Sequence, residues 1–345
     1  MRYILVTGGS GFLGGLLTNV LLGKGFHCIN VDIKPCDTSH PSFIFIQADI
    51  RDDKKLKAVF SQYEIEAVFH CATVLAHGHY NKTYLWETNV TATQYLLDLA
   101  IAYQVPRFIF ISSNCLWGKN MTHLVAEEDE PCPVELYGKS KLTAEQLFFK
   151  KQDKIITIIF RCPTIIDVGR MGLLSILYEF IQEGRKIYLV GGGKNRYQFI
   201  YAGDLIDALI KSLTYCQSNI FNIGSDHVKT LADVFQYVID NAGSHSRAVA
   251  VPKMLSVMLM KIAYYLHLSP LGPYHYKMIA EDFVFDTEKI KSELDWRPTL
   301  SNEEMLWCGY QDYVLNPHKL IESSEVSPHK KPASMRIIRL LKWLS

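Results

Sequence analysis

The sequence contains no C-x-x-C pair. Its eight cysteines, Cys28, Cys36, Cys71, Cys115, Cys132, Cys162, Cys216 and Cys308, are scattered over 345 residues. That spacing offers neither a zinc ribbon nor a redox dithiol, and no metal site is expected. Net charge is also lacking: 36 Lys and Arg face 35 Asp and Glu. A chain without a basic field gives no reason to expect nucleic acid as a partner. No apolar run reaches the ~20 residues that a membrane-spanning helix needs, and no repeat recurs at a fixed period. The first strand-like run begins at Arg2, which leaves no room for a signal peptide. Several cysteines sit inside apolar runs such as "FHCAT" and "IFRCP", where cysteine acts as a small buried hydrophobe. These features together predict a cytoplasmic protein.

Nearly half of the residues, 48%, are hydrophobic, enough for a sizeable core. Short apolar runs alternate with longer helical stretches. "YILVT" precedes a helix expected over 11–24. "HCINVD" and "FIFIQAD" follow, then a helix over 53–62, "EAVFHCA", a helix over 83–103, "RFIFISS", a helix over 137–151 and "ITIIFR". Strands that are apolar throughout and separated by helices predict a parallel sheet covered on both faces. The fold class is therefore α/β: a doubly wound, Rossmann-type sheet with a smaller, mostly helical C-terminal substrate domain. Residues 1–165 form the dinucleotide domain, to which 197–225 return. Residues 166–196 and 226–317 form the substrate domain, and 318–345 a linker and tail.

Gly8, Gly11 and Gly14 lie in "TGGSGFLG", between the first strand and the first helix. Glycines there allow a tight turn, close approach to a phosphate and close helix–sheet packing. The helix N-terminus adds free N–H groups and a positive dipole end. Asp32 closes the second strand, 18 residues past Gly14. A carboxylate there accepts from the ribose hydroxyls of NAD and repels a 2′-phosphate. The cofactor expected is NAD.

These residues resemble the T-G-x-x-G-x-x-G of the extended short-chain dehydrogenases, the NAD-dependent epimerase/dehydratase family, over roughly residues 1–315. The resemblance implies a cofactor site of Gly8, Gly11, Phe12, Leu13 and Gly14, with Asp49 and Ile50 holding adenine. It places Cys71, Ala72 and Thr73 beside the cofactor, with Asn89 supporting the helix on that side. It also implies pairing of two copies through a four-helix interface, here the helices at 83–103 and 137–151.

Tyr137 and Lys141 in "ELYGKSKLTAE" are four apart, so they share one helix face. An adjacent ammonium favours the phenolate, making Tyr137 an acid/base for an alcohol or ketone. Lys141 would also hold the nicotinamide ribose. The resemblance selects Ser113, four residues before Trp117-Gly118, as donor to the reacting oxygen, with Ser112 nearer the cofactor. It places Pro163 beside the carboxamide. His77, Asn114, Trp117 and Arg196 are candidate substrate contacts; Arg196 stands three before Phe199, where two would be expected of a diphosphate ligand.

Two enzymes fit this chemistry. One epimerises or dehydrates a nucleotide-sugar with recycled NAD. The other oxidises or reduces a hydrophobic alcohol or ketone, as in the 3β-hydroxysteroid dehydrogenase-like branch. That reading draws on "GRMGLLSIL", "GGGKNRYQFIY" and the apolar "VPKMLSVMLMKIAYYLHL", the last also suited to core or a subunit contact. A third reading is an NAD-sensing protein without catalysis; intact Ser113, Tyr137 and Lys141 speak against it. The tail "MRIIRLLKWLS" carries Arg336, Arg339 and Lys342 among apolar residues. As a helix it would suit weak association of 335–345 with a membrane surface.

Overall fold

A computed structural model describes residues 1–36, 38–75, 81–118, 120–168, 174–266 and 273–316. The apolar runs become strands and the stretches between them helices. In chain order these are β1 (Arg2–Thr7), α1 (Phe12–Gly23), β2 (Cys28–Asp32), β3 (Phe43–Gln47), α2 (Asp53–Gln62) and β4 (Glu64–His70). α3 (Lys82–Trp86) runs through a π-helical turn, Glu87–Ala92, into α4 (Thr93–Ala102). β5 (Arg107–Ser113), α5 (Leu136–Phe149), β6 (Ile156–Cys162) and β7 (Thr164–Ile166) follow. Next come α6 (Leu174–Gln182), β8 (Lys186–Val190), β9 (Phe199–Tyr201), α7 (Ala202–Lys211) and β10 (Asn219–Asn222). The chain continues with α8 (Leu231–Asn241), β11 (Arg247–Val251), α9 (Lys253–Tyr265), α10 (Pro273–Ala280), α11 (Glu288–Leu294) and α12 (Asn302–Leu315).

Seven strands form one sheet in the order β3-β2-β1-β4-β5-β6-β10, all parallel. The order reverses direction between β1 and β4, the point where doubly wound sheets bind their ligands. Alternation along β1 explains why both faces are covered. Ile4 and Val6 enter a core with Leu17 and Leu21 of α1, Leu205 of α7 and Trp296. Leu5 enters the opposite core with Leu56 of α2, Leu96 of α4 and Phe148 of α5. A third core joins Trp117 to Tyr178, Phe199, Phe283, Phe285 and Tyr310. The outlying elements are held by polar anchors. Asn302 Oδ1 accepts from Phe199 N–H at 3.0 Å, and the Thr299 hydroxyl donates to Asp204 at 2.6 Å.

Three local expectations change. The helix expected over 83–103 is interrupted by the π turn. β9, within the segment expected to rejoin the sheet, pairs with β7 in a separate ladder; β10 is the strand that joins β6. α9 is not core: only Ala263 among its residues is buried. β8 and β11 form a small parallel ladder beside it. Among the described residues no helix is long and apolar enough to cross a membrane.

Candidate active site

The glycine turn is shaped by two close approaches. Gly8 has φ +71°, and a Cβ there would lie 2.6 Å from the Ala72 nitrogen of the β4 end. A Cβ on Gly14 would lie 2.2 Å from the Gly8 carbonyl oxygen. Neither position tolerates a side chain, so the turn stays flat against the switch point. Gly11 N–H donates to Gly8 O at 2.9 Å, and α1 starts at Gly11 without a side-chain cap or an acidic residue in its first turn. Phe12 and Leu13 bury their side chains, leaving their backbone as what they offer to a ligand. Asp32 accepts from Ser10 N–H at 3.0 Å and from Lys34 N–H at 2.9 Å. The carboxylate is thereby fixed at the end of β2, beside the turn. A cradle free of Cβ atoms, an uncapped helix start and a fixed carboxylate fit a dinucleotide with free ribose hydroxyls.

Across the switch point runs a directed hydrogen-bond chain. The Thr93 hydroxyl donates to Asn89 O at 2.9 Å. Its single proton is then spent, so His70 Nε2 must donate to Thr93 Oγ1 across 2.8 Å. His70 Nδ1 therefore accepts from the Thr7 hydroxyl at 2.7 Å. His70 is 1% exposed, and burial, aided by the nearby Lys141 charge, lowers its pKa to about 3. It is a neutral strut, not an acid or base. Asn89 continues the chain. Its Oδ1 accepts from Val74 N–H at 2.8 Å and from the Thr73 hydroxyl at 3.2 Å. Its Nδ2 donates to Val74 O and to Ser140 Oγ, and Ser140 donates to Tyr137 O at 2.7 Å. Asn89 lies in the π turn, a helical irregularity often found at functional sites.

β5 and α5 carry the candidate reactive side chains. Lys141 is 4% exposed and donates from Nζ to Ile111 O at 2.8 Å. The ammonium lies 4.6 Å from the Phe110 ring centroid and 5.9 Å from that of Tyr137. Burial lowers its pKa to about 8. Ser112 is buried, and its hydroxyl has no protein partner. Ser113 is half-buried, and its Oγ accepts from Cys115 N–H at 3.2 Å. Burial raises the Cys71 thiol to about 12 and raises that of Cys162 further, so both stay protonated thiols beside Lys141.

Other candidate residues are arranged differently. The Asp49 carboxylate is gripped by Arg51 at 2.8 Å, which holds its pKa below the usual range. Ile50 is core, and Pro163 is buried between β6 and β7. Asn114 donates to the Tyr197 hydroxyl at 2.6 Å, tying the end of β5 to the third core. Trp117 is 3% exposed, packed against Phe283 and Phe285. It packs in that core rather than on the open surface. Arg196 is exposed, and its backbone pairs with Asp282 and Phe283. His77, like the tail 335–345, lies outside the described residues. Sequence reasoning missed His70, Ser140 and the Glu145–Arg161 ion pair, 2.8 Å long and 0% and 3% exposed. An imidazole or a charge inside an apolar run marked His70 and Arg161, and nothing marked Ser140. Among the described residues no three His, Cys, Asp or Glu side chains gather as for a metal.

The switch-point glycine turn, the fixed aspartate and the buried Lys141 beside Tyr137 are the features of an NAD-dependent enzyme of the extended short-chain dehydrogenase class. Residues 4–224 match the NAD dependent epimerase/dehydratase family, and the chain belongs to it. It is 33% identical to the uncharacterized protein y4nG of Sinorhizobium fredii, over 99% of this chain and 86% of that one. It is 25% identical to a putative UDP-glucose 4-epimerase of Methanocaldococcus jannaschii, over 71% and 84%. The fold is shared with the crystal structure of UDP-glucose 4-epimerase with UDP-glucose from Thermotoga maritima. That likeness has a TM-score of 0.75 and 22% identity, covering 91% of this chain and 99% of the other.

Proposed function

We propose that the protein epimerises or dehydrates a nucleotide-sugar, with Tyr137 as acid/base. The observation that carries the chemistry is the buried Lys141 ammonium, held by Ile111 O beside the Tyr137 ring, on the strand that presents Ser113. NAD, when bound, would supply the hydride acceptor and donor for the carbinol carbon. Tyr137 as phenolate removes the substrate hydroxyl proton and returns it in the reverse step. Lys141 supplies the positive charge that the phenolate needs, and Ser113 donates to the reacting oxygen. Asp32 holds the ribose hydroxyls. The nucleotide-sugar is supported by the similarity to UDP-glucose 4-epimerases.

The second reading is net oxidation or reduction of a hydrophobic alcohol or ketone. The apolar α9, exposed and within the segment read as the substrate domain, favours it. Denaturing the purified protein and quantifying released nicotinamide cofactor separates the two. Near-stoichiometric NAD supports a retained, recycled cofactor and hence the nucleotide-sugar reading. An empty site that binds NADH overturns it in favour of the second. A site that binds no NADH removes both.

A further inference from the structure

α9 presents a continuous apolar face to solvent. Met254 is 88% exposed, Leu255 49%, Met258 50%, Leu259 54%, Ile262 47%, Tyr265 78% and Leu266 62%. Their spacing follows i, i+4, i+8 and i+11, with a second row one residue on, so they share one side of the helix. A cluster of this kind on a soluble surface marks an interaction site. Its opposite side is seated on the protein, where Ala263 is buried and Lys253 is bound to Glu281 at 3.0 Å. The face is therefore held outward by a fixed base.

The charge pattern selects the occupant. About one residue in ten of this chain is acidic, yet no Asp or Glu occurs between Asp240 and Glu281. That stretch carries Arg247, Lys253, Lys261 and Lys277, and Lys261 is exposed on α9 itself. The last twenty residues, from Val326 to Ser345, also lack acid; they carry Lys330, Lys331, Arg336, Arg339 and Lys342 among apolar residues. Two such cationic stretches repel each other, which disfavours the tail as the cover of α9. Two copies placed face to face would likewise set one acid-free, lysine-bearing surface against another. An anionic apolar boundary satisfies both parts: the acyl region takes Met, Leu and Ile, and the headgroups take Lys261 and the tyrosine hydroxyl.

We propose that the outer face of α9 docks on an anionic phospholipid surface. The contact does not depend on which substrate is turned over. α9, 13 residues long, is too short to span the bilayer, and an apolar face with a flanking cation gives a reversible attachment.

The test is co-sedimentation of the purified full chain with phosphatidylcholine vesicles, with and without phosphatidylglycerol. The wild type is expected to bind the anionic vesicles and to be released by salt. Met254→Glu with Met258→Glu, both at solvent-facing positions, is expected to cut binding ~10-fold or more while NADH binding is retained. Should that pair unfold, Lys261→Glu carries the test, with binding expected to fall several-fold. The proposal is overturned if the wild type ignores anionic vesicles or if a folded α9 variant binds like the wild type. It is equally overturned if deletion of 335–345 abolishes binding that the α9 variants leave intact. A halving of molecular mass in the double variant, read by light scattering without lipid, would instead assign the face to a second copy.

Discussion

Tyr137 and Lys141 divide the chemistry between a group that moves a proton and a group that holds a charge. Tyr137→Phe keeps the ring and removes the proton carrier. Turnover should fall by ~10²–10⁴, while NADH affinity, read by nicotinamide fluorescence, stays near that of the wild type. Unchanged turnover would assign the proton to another group. Lys141 sets the alkaline limit. Burial has lowered its pKa to about 8 from the ordinary 10.5, so the folded protein loses the ammonium as pH rises through about 8. The profile of kcat/KM should descend there; a plateau to pH 10 would show that the charge is not needed. The Tyr–Lys pair was legible in the sequence because four-residue spacing on a helix is local. His70 was not: its partners, Thr7 and Thr93, come from other elements, and nothing in "EAVFHCA" distinguishes a strut from a base.

The π turn between α3 and α4 places Asn89 where one amide serves the loop after β4 and the start of α5. Asn89→Ala removes both sets of bonds and leaves Val74 N–H and O half-buried without them. A loss of ~1–3 kcal/mol is expected, measured by urea unfolding, together with a raised KM for cofactor as the Tyr137 turn loosens. A stable variant with unchanged KM would reduce Asn89 to packing. α5 has a second office on its buried side. Glu145 pairs with Arg161 of β6, and Arg161 also donates to Glu127 O and lies over the Trp117 ring at 5.1 Å. Glu145→Gln leaves a buried guanidinium without its counter-charge and should cost ~3–5 kcal/mol. A variant within 1 kcal/mol of the wild type, by the same unfolding measurement, would show that water or Glu127 replaces the carboxylate. The element boundaries of α1, α2 and α5 were legible from hydrophobic period. The π turn was not, because its extra residue leaves the apolar pattern of 82–102 almost unaltered.

At the scale of the molecule, the arrangement joins a seven-stranded parallel sheet, with a core on each face, to a third core whose members come from distant parts of the chain. Trp117, Tyr197, Phe283 and Tyr310 meet there. The outer surface of the helices at 82–102 and 136–149 carries Trp86 at 37% exposure and Phe149 at 41%, and we propose these helices as the surface on which two copies pair. Static light scattering should then give twice the mass of the chain. A single-chain mass at micromolar concentration would remove that pairing.

The sequence by itself determined the doubly wound sheet, the glycine turn, Asp32 and the Tyr137–Lys141 pair. Each of these is written in local period or short spacing, which backbone geometry converts directly into place. Only the tertiary structure decided the tautomer of His70, the burial of Trp117, the partner of Asp49 and the exposure of α9. Those depend on which distant residue arrives alongside, and an apolar helix reads the same in sequence whether its face meets a core or solvent.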